Sequence, residues 1–156
     1  MINVSIPGYG EFELKYLVLD YNGTLAFDGT PISGVEDILQ SLASKIDIHV
    51  VTADTYGSVQ RKMEGWPCKN VVVESTNQNK VKANYIKKLG SKHTVAIGNG
   101  RNDQLMLREA AIGIAVIQDE GAAGDTLQTA DIISTDICSA LRLLLNPLRI
   151  IATLRS

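Results

Sequence analysis

The chain has only two cysteines, Cys68 and Cys138, far apart and in no C-x-x-C spacing. That spacing fits neither a thiolate metal cluster nor a dithiol redox pair, and both are read as free thiols in a reducing compartment, with a disulfide between them as the lesser alternative. An excess of charge is also missing. Fifteen basic residues against seventeen acidic ones, a formal charge of −2, leave no electrostatic footprint for nucleic acid or an anionic membrane, and no basic run supplies one locally. Long apolar runs are absent too: stretches such as Leu143–Leu145 and Ile150–Ala152 fall far short of the ~20 residues that cross a bilayer. The first residues combine neither a basic segment nor a continuous apolar one, so no secretory signal is read. The expectation is a cytoplasmic protein with no nucleic-acid partner and no membrane insertion.

What is present is a chain of 156 residues, 45% apolar, enough for one sizeable core and too short for two ordinary domains, so residues 1–156 are expected to form a single domain. Short β-branched runs alternate with helical patterns. The strands are placed at Tyr16–Asp20, Asp47–Thr52, Asn70–Glu74, Thr94–Gly98, Ile112–Val116 and Asp131–Ile133, and the helices at Val35–Ala43, Tyr56–Met63, Gln78–Leu89, Asp103–Glu109 and Asp136–Leu145. This alternation predicts an α/β fold with a mostly parallel sheet and helices on both faces. Asn3–Ile6 and Glu11–Leu14 flank a Pro-Gly-Tyr-Gly turn and read as a β-hairpin added at the sheet edge. The amphipathic tail from Asn146 to Ala152 reads as a closing helix packed on the domain or on a second subunit.

Four segments suggest chemistry. Leu17–Asp20 is an apolar strand that ends on a carboxylate and runs into Tyr21-Asn22-Gly23-Thr24. Ligands bind at that end of strands in open α/β sheets. An aspartate there can attack phosphorus and split one hard displacement into two easier ones, with Gly23 allowing close backbone approach and Thr24 supplying a hydroxyl; alternatively Asp20 is an ordinary strand-ending turn residue. The second segment, Val50-Val51-Thr52-Ala53-Asp54, offers Thr52 as a donor to a phosphoryl oxygen with Ala53 beside it, or simply a helix cap. The third is Lys80, opening a helix, where a solvated side chain is the ordinary role. The fourth, Gly98-Asn99-Gly100-Arg101-Asn102-Asp103, lacks the G-x-G-x-x-G and Walker patterns. It places oxygen ligands at 99 and 103, which suits Mg²⁺, unless Asp103 merely complements a helix dipole.

In this order the segments resemble the four motifs of the haloacid dehalogenase superfamily, and within it the phosphorylation domain of the P-type ATPases, whose signatures are DKTGT, TGD and GDGxND. The resemblance runs from about Leu17 to Val116. It implies a three-layer Rossmannoid fold, Mg²⁺ as cofactor and a small phosphorylated substrate. Residue by residue it implies Asp20 as nucleophile and metal ligand, the Asn22 carbonyl, Asn99 and Asp103 as further metal ligands, and Gly23, Thr24, Thr52, Ala53, Lys80 and Asn102 around the phosphate, with Lys80 neutralising its charge.

Two positions depart from the family pattern. Asn22 stands where its phosphatases have a proton-transferring Asp and the ATPases a Thr, and Asn99 stands where the pattern has Asp. Residues 21–51 and 53–79 are also too short to hold a cap domain, so Ala26–Pro31 is expected to form only a flap, and a homo-oligomer would complete such a site. The function implied is a hydrolase acting through an aspartyl phosphate on activated donors. The alternatives are a low-turnover regulatory or binding domain, or a detached phosphorylation domain of a transport system.

Overall fold

The computed structural model describes residues 1–54 and 57–156. A hairpin, β1 (Ile2–Ile6) and β2 (Gly10–Leu14), precedes the central strand β3 (Tyr16–Asp20). A small flap, β4 (Ala26–Phe27) and β5 (Thr30–Pro31), follows. Then come α1 (Val35–Ala43), β6 (Asp47–Thr52), α2 (Ser58–Lys62), β7 (Lys69–Val72), α3 (Gln78–Leu89), β8 (Thr94–Gly98), α4 (Gln104–Glu109) and β9 (Ile112–Val116). The chain closes with α5 (Gly124–Thr129), β10 (Ile132–Ser134), α6 (Ile137–Leu145) and α7 (Pro147–Leu154).

Six strands pair in parallel in the order β10-β9-β8-β3-β6-β7. Because successive side chains in a strand face opposite ways, β3 feeds two cores. Leu17 and Leu19 pack with Val50, Ile97 and Ile114 under the side carrying α1, α6 and α7, while Val18 packs with Val51, Ala96 and Ala115 under α3 and α4. Burial on both faces explains why these strands read as continuous apolar runs instead of alternating ones. From β3 the chain winds outward to β6 and β7, then returns to the other side of β3 as β8. That reversal opens a crevice at the C-terminal strand ends.

The hairpin does not extend the main sheet as expected. It forms its own two-stranded sheet, because its inward face, Ile2, Val4 and Ile6, joins the apolar core that also takes Ile150 of α7. The helix expected from Tyr56 to Met63 is described from Ser58 to Lys62, and Tyr56 lies outside the described residues. Asp136 is the cap of α6, not its first turn, accepting from the Ser139 N–H at 2.7 Å. The flap turns on Asp28-Gly29, both at positive φ (47° and 73°), the geometry that Asp-Gly favours in two-residue hairpins. Among the described residues no single helix is long and apolar enough to cross a membrane; α6 and α7, which together pass by length and composition, are bent by 102°.

Candidate active site

The two loops flanking the crevice carry a buried cluster of charge. Asp20 ends β3 and is 6% exposed, while Asp103, in the turn after β8, is 0% exposed. Between them lies the ammonium of Lys82, 1% exposed. Its Nζ donates to Asp20 Oδ1 at 2.6 Å and to Asp103 Oδ1 at 2.7 Å. The other oxygen of Asp103 accepts the backbone N–H groups of Asn99 and Gly100, at 3.1 and 2.9 Å, which folds the turn back on its own carboxylate. Gly98 makes room for this: a Cβ there would sit 2.6 Å from the Asp103 carboxyl carbon.

Lys82 corrects the expectation for Lys80. Both lie on α3, but its buried residues are Lys82, Ala83 and Ile86, and two positions along a helix turn the side chain by about 200°. Lys80 is exposed and lies outside the cleft wall. The signal was available in the sequence, since Lys82 stands four residues before Ile86 on the apolar stripe of α3.

Thr24 is fully buried beneath the site. Its hydroxyl lies 3.3 Å from both Asp20 Oδ2 and Asn99 Oδ1. The N–H groups of Gly23 and Thr24 are used within the turn, bonding the carbonyls of Ala26 and Tyr21. The structure therefore places these two residues as supports rather than on the wall of the cleft, which is where the resemblance put them around phosphate. Gly23 is required at its position twice over: its φ is 78°, and a Cβ would stand 2.3 Å from Asn99 Nδ2.

The cleft itself, about 410 Å³, is walled by Asp20, Asn22, Thr52, Ala53, Asn99 and Asn102 as the sequence suggested, and by Lys82, Gln78, Asp54 and Lys62, which it did not. Thr52 accepts the Asp54 N–H at 3.2 Å, leaving its hydroxyl proton to donate elsewhere. Asn102 donates to Gln78 at 2.8 Å. A further residue missed by sequence reasoning is Gln118. Its amide nitrogen donates to the Gly23 and Thr24 carbonyls at 3.0 and 2.9 Å, and its oxygen accepts the Ile137 N–H at 2.8 Å. It thereby pins the Asp20 loop to the start of α6. Nothing in the surrounding sequence marks it.

The charges do not balance. Burial and then the neighbouring Asp103 push the Asp20 carboxyl up, to about 7, against the opposing pull of Lys82 and of the Thr24 hydroxyl. Burial pulls Lys82 down, but the two carboxylates outweigh it and hold its ammonium above the usual lysine value. Two carboxylates around one ammonium leave a desolvated negative excess. Asp20 Oδ2 and Asn99 Oδ1 share one hydroxyl partner in Thr24. An all-oxygen donor set with uncompensated negative charge fits a hard divalent cation, with Asp20 and Asn99 as the residues placed to hold it. Asp103 is already committed to Lys82 and two backbone donors.

Asn99 has a second tie, donating from Nδ2 to the Gly121 carbonyl at 2.9 Å. Asn99→Asp is therefore expected to destabilise the metal-free protein by about 1–3 kcal/mol, because a carboxylate would face that carbonyl and join a buried cluster already in excess. Mg²⁺ should restore the loss. Thermal unfolding with and without the ion checks this, and a variant as stable as wild type in chelator would remove Asn99 from the charge cluster.

The haloacid dehalogenase-like hydrolase family model matches residues 30–136, which hold Thr52, Lys82 and the Asn99–Asp103 turn but begin after Asp20. An uncharacterized protein of Methanocaldococcus jannaschii is 52% identical over 65 residues, 42% of this chain and 70% of that protein. Among solved structures, the 3-deoxy-D-manno-octulosonate 8-phosphate phosphatase of Moraxella catarrhalis, in complex with magnesium, phosphate and the sugar acid, superposes with a TM-score of 0.67 at 24% identity, covering 92% of this chain and 94% of that one. The cobalt-bound deoxy-D-mannose-octulosonate 8-phosphate phosphatase of Haemophilus influenzae gives 0.73 at 14% identity, with the same coverages. A phosphoserine phosphatase in its apo form gives 0.65 at 16% identity, over 84% of this chain and 99% of that one. At these identities the structures speak for the fold, and together with the family match over more than two thirds of the sequence they establish that this chain belongs to the haloacid dehalogenase-like hydrolases.

Proposed function

We propose that the chain is a magnesium-dependent phosphohydrolase that works through an aspartyl phosphate on Asp20. The observation that carries this is the Asp20–Lys82–Asp103 cluster at the crevice end of β3, opening onto a cleft that also presents Thr52. Lys82 fixes the Asp20 carboxylate for attack. The bond from Asp20 to phosphorus forms as the bond to the leaving oxygen breaks, and that oxygen departs with the electron pair. Water then attacks the same phosphorus, releasing inorganic phosphate and regenerating the carboxylate.

The Lys82 ammonium and the Thr52 hydroxyl are placed to donate to the phosphoryl oxygens. Anchoring of Lys82 by Asp103 means that little reorganisation is needed as charge shifts. Bound Mg²⁺ supplies positive charge that lets an anionic carboxylate approach an anionic phosphate. The residues suited to hold it are Asp20, Asn99 and the Asn22 carbonyl. The Asn102–Gln78 pair forms a polar wall near the transferring group, and the sequence-suggested contact from Asn102 to phosphate stands on its place in that wall.

The test is a screen of aryl, acyl and alkyl phosphates with Mg²⁺, run on wild type and Asp20→Asn. Wild type is expected to turn over the activated esters, and Asp20→Asn to fall to background. Beryllium fluoride should protect wild type against thermal unfolding and leave the variant unshifted. Full hydrolysis by Asp20→Asn would sink the mechanism.

A further inference from the structure

The cleft holds a second cation that the chemistry above does not use. Lys62, the last residue of α2, lines it together with Asp20 and Lys82. The two ammonium groups are differently employed. Lys82 is buried and gives two of its three N–H donors to carboxylates. Lys62 is exposed and donates to the carbonyl of Gly29 at 2.6 Å, and among the described residues no salt bridge pairs it with an acid.

Gly29 sits at the tip of the β4–β5 flap, and the same carbonyl accepts the Tyr21 hydroxyl at 3.0 Å. That oxygen therefore keeps a partner when Lys62 leaves it. The nearby carboxylate, Asp54, takes the Ser58 hydroxyl at 2.9 Å and the Val59 N–H at 2.7 Å, so it is engaged at the start of α2. A neutral carbonyl is the weaker partner for an ammonium. An anion adds a charge–charge attraction that the neutral carbonyl lacks, so an anion entering the cleft outcompetes Gly29.

We propose that Lys62 is a specificity residue that takes a second anionic group on the leaving portion of the substrate, exchanging the Gly29 carbonyl for it. This rests on the phosphohydrolase reading and narrows its substrates to phosphates bearing another negative group, such as a carboxylate. The cleft also presents the amides of Gln78 and Asn102, which suit a polar linker between the two anions.

Binding of non-hydrolysable probes tests this without turnover. Calorimetry in Mg²⁺ would compare methylphosphonate with phosphonoacetate, and phenylphosphonate with 4-carboxyphenylphosphonate, on wild type, Lys62→Gln and Lys80→Gln. In wild type the carboxylated member of at least one pair should bind about tenfold tighter, the size of one charge-assisted hydrogen bond. Lys62→Gln should bring that ratio near one, and Lys80→Gln, which removes equal charge outside the cleft, should preserve it. Equal binding within both pairs in wild type overturns the proposal and leaves the hydrolase reading standing. Uniform weakening of all four probes by Lys62→Gln also overturns it, making the residue a strut for the flap. If no phosphonate binds wild type, the phosphoryl-site reading fails and this inference falls with it.

Discussion

Lys82→Met is expected to abolish phosphate hydrolysis and to lower the unfolding free energy by about 3–5 kcal/mol, the cost of leaving buried charge without its partner. Methionine matches the length of the lysine stem, so packing changes little and the loss is electrostatic. Asp20 and Asp103 would then share a dry site with no cation between them. Mg²⁺ should recover part of the stability, by supplying charge, but not the activity. Lys80→Met is the matched control, two residues away on the exposed side of α3, and should stay within about 0.5 kcal/mol of wild type with turnover unchanged. Chemical denaturation in chelator and in Mg²⁺, beside an activated-phosphate assay, reads both effects. Loss of activity in Lys80→Met with Lys82→Met unaffected would reverse the assignment.

Asn22→Asp carries the largest expected gain. Asn22 is exposed and lines the cleft beside Asp20, a position from which a side chain can reach the leaving oxygen. An amide transfers no proton at neutral pH. Wild type should therefore cleave donors whose leaving groups depart unaided, such as aryl and acyl phosphates, treat alkyl phosphates poorly, and hold a long-lived aspartyl phosphate. Restoring a carboxyl group should raise alkyl-phosphate turnover by about 10²–10⁴-fold, the usual range for a positioned general acid. Aryl turnover should gain much less, and the intermediate should shorten. The new activity should fall as pH rises through the carboxyl group's own titration, because the acid must be protonated to assist departure. Rapid-quench phosphorylation and a pH profile measure this. Equal alkyl and aryl rates in wild type, or no gain in the variant, would sink the idea. A wild type slow on every phosphate in the screen would instead point to the low-turnover regulatory alternative.

Much of the fold was legible because local pattern and tertiary burial agree. Tyr16–Asp20, Asp47–Thr52, Thr94–Gly98 and Ile112–Val116 are four central strands whose continuous apolar runs leave little doubt about period or ends, and each is found at the expected bounds. The edges were harder. β7 runs from Lys69 to Val72, not from Asn70 to Glu74, since it pairs with β6 alone, and its bounds follow that register. α5 is six residues, Gly124–Thr129, too short to show a helical period. Membership in the hydrolase family was visible in the ordered motifs, because strand ends in such sheets are fixed by the apolar runs that precede them.

The sequence by itself determined which backbone positions reach the crevice: Asp20 and Thr52 end buried strands and Asn99–Asp103 follows one, and the apolar runs mark where those strands end. Tertiary structure decided which side chains meet there. Lys82 enters and Lys80 does not, because packing against Ala83 and Ile86 sets the rotation of α3. Thr24 and Gly23 support the site from below because their turn closes on Tyr21 and Ala26. Gln118 and Lys62 arrive from loops and helices distant in sequence. The apolar stripe of α3 marks which of its faces turns inward, but the meeting of Lys82 with Asp20 and Asp103, like the loop-to-loop hydrogen bonds, depends on contacts between segments far apart in the chain, and no local pattern of residues encodes it.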